Sequence, residues 1–174
     1  VLKKMNRKIT RKEIEATMSR VRNQLPDVAW RTTFIVGFPT ETDQDFEELV
    51  DFVSEGHFQH LGIFLYSDED NIRSSKFGDP IPLSLKEERK NRLMEIQQKI
   101  SREHHQKMVG SLQQVLVGGF SSETDLLLEG RNQYQGPEVD GVVYINEGNA
   151  TSAGFHQVEI TEAHEYDLVG KILN

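Results

Sequence analysis

The chain has 174 residues, of which 36% are hydrophobic and 28% are charged, a composition typical of a soluble globular protein with one domain or two small ones. It contains no cysteine, which excludes disulfides, thiolate zinc sites, cysteine nucleophiles and cysteine-ligated iron–sulfur clusters within this chain. No apolar run is long enough for a membrane span and no signal peptide is visible, so we expect a cytoplasmic protein without membrane contact.

The formal net charge of −8 is unevenly distributed along the chain. Residues 1–107 carry 18 basic and 18 acidic side chains, whereas residues 108–174 carry 2 basic and 10 acidic side chains. Such an acidic segment repels phosphate backbones and favours basic partners. The alternative is that these acids only keep the segment in solution.

The first predicted elements are a helix and a strand. Thr10 and Glu13 have the spacing of a capping box, which predicts a helix that ends before Pro26. The run Trp30–Val36 then predicts a strand with both faces buried, as in a parallel sheet.

A second helix and strand follow. Thr42 is the predicted cap of a helix that ends at Gly56, and His60–Tyr66 is the next predicted strand. Strands that alternate with helices lie parallel to each other, but two strands do not make a stable sheet. We therefore expect residues 1–83 to be the last part of a larger α/β domain, and the chain to begin inside a longer protein.

Residues 84–109 are predicted to form a connecting helix. Ser84 and Glu87 have the spacing of a second capping box. The predicted buried stripe of this helix consists of Leu93, Met94, Ile96 and Ile100.

Residues 110–174 have the pattern of a small antiparallel β-barrel, because short strand candidates alternate with glycine-rich turns. The five strand candidates are Gln113–Val117, Leu126–Glu129, Gly141–Ile145, Phe155–Ile160 and Asp167–Leu173.

The turn Gly37-Phe38-Pro39 occupies the position at which α/β proteins bind ligands, between a strand and a helix. Glycine allows a ligand to approach the backbone, and proline stiffens the turn. The acids between Glu41 and Glu48 disfavour phosphate and favour a neutral or zwitterionic ligand such as an adenosyl compound. Phe64 and Tyr66 can flank a planar base. A plain strand–helix turn and ordinary core aromatics are the alternatives.

No residue pair predicts acid–base catalysis, and no histidines have metal-ligand spacing, so we predict no catalytic and no metal-binding residue in this chain. The segment from Gly130 to Gly141 predicts an ordered, exposed loop. It is either a binding edge or an ordinary turn between strands.

Several stretches resemble the radical SAM methylthiotransferases. RTTFIVGFPTETDQDFEELVDFV (residues 31–53) resembles the fifth barrel strand and following helix of that family, FLYSDED (64–70) resembles its sixth strand, and LKKMNR (2–7) resembles the segment after its fourth. The β part resembles the TRAM domain of the same family. The resemblance implies the C-terminal part of a radical SAM TIM-like barrel followed by a five-stranded, OB-like TRAM barrel.

The resemblance also implies cofactors and a reaction for the full-length enzyme. The cofactors are S-adenosylmethionine and two [4Fe–4S] clusters, whose ligands are absent from this chain. The reaction is the insertion of a methylthio group at the β-carbon of an aspartate. The cofactor-binding residues that it implies are Thr33, Ile35, Gly37, Phe38, Pro39, Phe64, Leu65 and Tyr66. We expect this chain alone to be inactive without the N-terminal domains of the same protein.

The β part resembles the family branch that modifies a small-subunit ribosomal protein rather than the branch that modifies transfer RNA. The similarity lies in GRNQYQGPEVDGVVYIN (130–146) and ITEAHEYDLVG (160–170). An acidic TRAM domain would dock the basic ribosomal protein and reject RNA. The predicted docking residues are Asp125, Glu129, Glu138 and Asp140. The alternative is an RNA-binding TRAM module of a tRNA-modifying enzyme.

Two positions depart from the family pattern. Thr40 stands where the family has glycine, which is expected to stiffen or shift the turn. Residues 70–72, with the sequence DNI, stand where the family often has Glu-Gly-Thr.

Overall fold

The computed structural model describes residues 1–69, 74–150 and 153–173, so the family difference at residues 70–72 lies outside the described residues. The chain divides into two compact units, Val1–Gln97 and Gln98–Asn174. The division falls within the helix predicted as the connection, and the domain boundaries predicted at 83/84 and 109/110 stay a prediction. No helix in the described ranges is long and apolar enough to cross a membrane.

The first unit alternates helices and strands, as the sequence predicts. Its elements are α1 (Arg11–Gln24), β1 (Arg31–Val36), α2 (Asp43–Ser54), β2 (His60–Leu65), a short 3-10 helix (Ser75–Phe77) and the first turns of α3 (Leu83–Gln106). The two strands pair in parallel, from Arg31 opposite His60 to Val36 opposite Leu65. The predicted parallel pairing of these strands is confirmed.

Capping boxes start the first two helices. Thr10 and Glu13 form the predicted box at α1. Thr42 caps α2, and its reciprocal partner is Asp45. The backbone amide and the hydroxyl of Thr42 donate to the Asp45 carboxylate at 2.9 and 2.7 Å, and these hydrogen bonds lower the pKa of that carboxyl.

Among the described residues of the first unit, side chains cover one face of the two-stranded sheet. Phe34 packs with Met18, Phe52 and Phe58, which come from α1, α2 and the segment after α2. On the other face Ile35 is exposed, so the prediction that β1 is buried on both faces is wrong. The reason is that both helices pack against the same side of the pair.

Helix α3 differs from its prediction in where it starts and in what it buries. It begins at Leu83, so Ser84 lies in its first turn and not at the predicted cap position. Leu93 is fully buried, but the other predicted stripe residues are only partly buried. In the first unit the remaining buried positions of α3 are polar, namely Lys86, Arg89 and Gln97.

The second unit is a closed barrel with the strand order β3-β4-β5-β7-β6. The strands are β3 (Leu112–Phe120), β4 (Leu128–Arg131), β5 (Val143–Glu147), β6 (Gly154–Ala163) and β7 (Leu168–Ile172). The predicted five-stranded barrel is confirmed, but it is mixed, because β7 lies antiparallel to β6 and parallel to β5. Closure gives every strand two neighbours and leaves no free sheet edge.

Aliphatic side chains fill the barrel interior. The buried core consists of Val115, Val117, Val143, Ile145, Val158, Ile160, Leu168 and Ile172. These residues alternate along their strands with outward-facing ones, as the pleat requires. Gly118 and Gly119 lie inside β3, where the register with β4 shifts.

The entry to β5 requires a glycine because another backbone segment lies against it. A Cβ atom on Gly141 would lie 1.8 Å from the carbonyl oxygen of Tyr166. At Gly118 the nearest atom to such a Cβ, the Glu129 carbonyl oxygen, is 3.9 Å away.

We predict that Gly141→Ala lowers the free energy of unfolding of the barrel by roughly 2 kcal/mol or more, because the backbone at Tyr166 must move. Gly118→Ala is the matched control in the same barrel and is expected to change it by less than about 0.5 kcal/mol. Urea denaturation followed by circular dichroism measures both changes. Equal losses of stability in the two variants would contradict this interpretation.

Candidate functional site

The predicted cofactor-binding residues come together at the carboxyl ends of the two parallel strands. Val36 and Leu65 are register partners at these ends. The Tyr66 amide donates to the Val36 carbonyl at 2.9 Å and extends the pairing by one residue. Gly37 and Tyr66, the first residues after the two strands, therefore lie next to each other at the carboxyl end of the strand pair.

Three of the predicted residues lie on the uncovered face of this sheet. Ile35 and Phe64 are opposite each other in register and are 39% and 63% exposed. Thr33, two residues before Ile35, is also exposed. These side chains form an accessible, mainly apolar surface, which we call the Ile35–Phe64 face. It suits a planar group that packs flat on the strands.

Phe38 and Tyr66 are engaged in the core of the first unit. They are 2% and 7% exposed, and their rings meet edge to face with centroids 5.3 Å apart. Phe38 also makes an edge contact with Phe77. Both aromatics therefore match the alternative of ordinary core residues. Leu65 and Pro39 are partly buried.

The close approach to the Gly37 backbone is made by a side chain of this chain. Gly37 has φ of +76°, which favours glycine, and a Cβ there would lie 2.4 Å from Cγ of Lys86. The Gly37 amide donates to both carboxylate oxygens of Glu41, at 3.1 and 3.2 Å. The aliphatic stem of Lys86 thus occupies the space that a side chain at position 37 would need.

Lys86 is a buried lysine that joins the ends of both strands. Its Nζ donates to the Tyr66 carbonyl at 2.9 Å and to the Asp79 carboxylate at 2.5 and 2.6 Å. It also lies 5.4 Å from the centroid of the Tyr66 ring. The side chain is 3% exposed, so its charge is compensated by protein groups rather than by solvent.

Arg89, one turn further along α3, forms a second buried ion pair at the same edge. Its guanidinium donates to Glu41 and to Asp43, both at 2.6 Å. The Glu41 side chain is 5% exposed and therefore bridges the Gly37 amide and Arg89. We call Lys86, Arg89, Glu41 and Asp79 the α3 clamp.

Sequence reasoning missed the α3 clamp because it looked for apolar side chains on the buried stripe. The available signal is a spacing, since Lys86, Arg89, Leu93 and Gln97 follow each other by three or four residues and share one helix face. Thr40, the departure from the family glycine, has a buried hydroxyl without a hydrogen-bond partner among the described residues. Nothing in the structure explains this substitution.

The predicted docking residues of the barrel have different surroundings. Glu138 and Asp125 are exposed, and Glu138 has φ of +63°. Asp140 is partly buried and accepts a hydrogen bond from the Gly136 amide at 2.7 Å, so this carboxylate helps to close its own loop. Glu129 on β4 lies opposite Tyr144 on β5.

Carboxylates surround Tyr144. Burial raises the pKa of its phenol, and the negative charges of Glu123, Asp167 and Glu129 raise it further. The outer surface of the barrel near Tyr144 therefore has a negative potential. Within residues 1–69, 74–150 and 153–173, no group of three or more histidine or carboxylate side chains is placed to hold a metal ion.

Known families match both parts of the chain. Residues 1–53 match the radical SAM superfamily, and residues 109–173 match the TRAM domain. The chain is also similar to proteins named ribosomal protein uS12 methylthiotransferase RimO. The relative from Bdellovibrio bacteriovorus is 50% identical over 99% of this chain and 38% of its own length.

Two further relatives of that name cover the whole chain. Those from Desulfotalea psychrophila and Geobacter sulfurreducens are 45% and 41% identical over 100% of this chain and 39% of their own lengths. The chain therefore spans less than half the length of the curated relatives that it matches. These comparisons confirm the predicted resemblance to the radical SAM methylthiotransferase family.

The α3 clamp predicts a measurable contribution to stability. Glu41→Gln leaves the buried Arg89 with a weaker partner, and we expect the free energy of unfolding to fall by about 1–3 kcal/mol. The matched control is Glu47→Gln. It removes an exposed ion pair between Glu47 of α2 and Arg92, which lies on α3 like Arg89, and it should change the free energy of unfolding little. Chemical denaturation compares the two variants, and an equal effect of both would contradict the role assigned to Glu41.

Proposed function

Given its similarity along the whole chain to radical SAM methylthiotransferases, we propose that this chain is the C-terminal part of such an enzyme, acting on ribosomal protein uS12. The reaction is the addition of a methylthio group to the β-carbon of an aspartate. The observation that carries the proposal is 50% identity over 99% of the chain to a relative named for this activity. The similarity extends across both units, and the radical SAM match at residues 1–53 precedes the TRAM match at residues 109–173.

The Ile35–Phe64 face is the part of this chain that we assign to S-adenosylmethionine. Its apolar pair suits the adenine ring, and Thr33 adds a hydroxyl beside them. The acids in and before α2 disfavour a phosphate ligand at the same edge. When bound, the cofactor supplies the radical chemistry, and this chain contributes binding and orientation. The chain has no cysteine, so the ligands of the [4Fe–4S] clusters belong to other parts of the longer protein.

The acidic barrel is assigned to substrate docking. Residues 108–174 carry 10 acidic and 2 basic side chains, which favours a basic ribosomal protein and disfavours RNA. Asp125 and Glu138 offer exposed carboxylates for this contact. Asp140 supports the loop that carries Glu138, because its carboxylate accepts a hydrogen bond from the Gly136 amide.

The proposal is tested with the longer protein that contains this chain, supplied with S-adenosylmethionine, a sulfur source and a reductant. We expect mass spectrometry to find a methylthio group on an aspartate of isolated uS12. The 174-residue chain alone is expected to form no 5′-deoxyadenosine, because it has no cysteine to hold a cluster. Modification of transfer RNA with uS12 unchanged would contradict the proposal, as would turnover by the chain alone.

The same assay tests the docking surface. The double variant Asp125→Asn, Glu138→Asn removes two exposed charges, and asparagine tolerates the positive φ at position 138. We expect KM for uS12 to rise by about three- to tenfold with kcat unchanged, because the lost contacts act on binding. Glu95→Gln, an exposed acid on α3, is the control. An unchanged KM in the double variant would remove these residues from the docking surface.

A further inference from the structure

We propose that Lys86 is a positioning residue for S-adenosylmethionine, which sets the geometry of the Ile35–Phe64 face through the ends of β1 and β2. This inference rests on the proposed function, since it concerns the same cofactor. Lys86 does not reach the exposed face itself, because its side chain is 3% exposed and its ammonium faces protein groups. Its effect on the ligand is therefore transmitted through the backbone.

A single side chain contacts the first residue after each of the two parallel strands. The Lys86 stem lies against Gly37, which follows β1, and its Nζ donates to the carbonyl of Tyr66, which follows β2. Ile35 and Phe64 each precede these contact points by two residues, which is one repeat of the strand. A shift of either strand end would thus move one half of the Ile35–Phe64 face.

Lysine supplies a hydrogen bond at the end of β2. The Tyr66 amide pairs with the Val36 carbonyl, and the Tyr66 carbonyl receives the Lys86 ammonium. A buried carbonyl needs a donor, and the lysine supplies one from an adjacent helix. The Asp79 carboxylate compensates the charge at 2.5 Å.

Stability alone does not require this arrangement. A buried ion pair can often be replaced by apolar side chains of similar volume with little loss of stability. The stem of Lys86, however, also fits against a glycine at which any Cβ would collide with it. The stem and the ammonium together hold both strand ends against α3, whereas a packed apolar residue could make only the contact of the stem.

The test measures equilibrium binding of S-adenosylmethionine to the longer protein that contains this chain, by dialysis with labelled ligand and without turnover. We expect Lys86→Met to raise the dissociation constant about tenfold or more. Asp79→Asn, which changes a side chain that is 35% exposed, is expected to raise the dissociation constant by a smaller factor, because Lys86 then loses its counter-charge. The control is Arg92→Met, which removes the exposed pair with Glu47 from the same helix.

Each variant is also followed by thermal unfolding, and binding is measured well below its midpoint. A purely structural lysine would lower the midpoint of Lys86→Met and leave the dissociation constant within about twofold of the wild type. That result would overturn the positioning role and leave the proposed function intact. If Lys86→Met does not fold, unchanged affinity in Asp79→Asn would overturn it. Absence of binding by the wild-type protein would instead contradict the proposed function.

Discussion

Two buried cations on one helix hold the edge at which the parallel strands end. Lys86 joins the Tyr66 carbonyl and Asp79, and Arg89 joins Glu41 and Asp43. Glu41 in turn accepts a hydrogen bond from the Gly37 amide, so both strand ends are connected to α3 through charged side chains. Burying two cations is unfavourable unless they find acceptors, and this constraint fixes where Glu41, the Tyr66 carbonyl and Asp79 lie. The position of the candidate cofactor-binding edge depends on that constraint.

The two units present chemically different surfaces. The first unit leaves one sheet face uncovered, with Ile35 and Phe64 exposed beside each other. The second unit is a closed barrel, whose contacts with partners are made by outward side chains and loops. The net negative charge lies in this second part of the chain, because residues 108–174 carry 10 acidic but only 2 basic side chains. These are the two surfaces to which the proposed function assigns a small ligand and a basic protein.

The sequence is sufficient to predict an element of the structure where one local rule determines that element. Capping by Thr10 and Thr42, the parallel order of β1 and β2, and the five-stranded barrel follow from spacing, periodicity and turn residues. The burial of β1 was predicted wrongly, because an apolar run does not reveal whether a second layer covers it. The mixed strand directions of the barrel depend on where β7 enters, which no local pattern specifies.

The α3 clamp could not be predicted from hydrophobic periodicity, because its buried positions are charged. Lys86 and Arg89 are compatible with a solvated helix face, and only their tertiary partners show otherwise. Gly37 likewise indicated a close approach without identifying the approaching group. It was predicted to admit a ligand, and the structure places the Lys86 stem there.

In the proposed function, the Ile35–Phe64 face binds S-adenosylmethionine in the longer protein. Hydrogen exchange with and without the cofactor, resolved by mass spectrometry to short peptides, measures this binding segment by segment. Binding at this face is expected to slow exchange of the backbone amides in residues 33–39 and 64–66, with no change in the strands of the barrel. Protection confined to other segments, with these two unchanged while the cofactor binds, would contradict it.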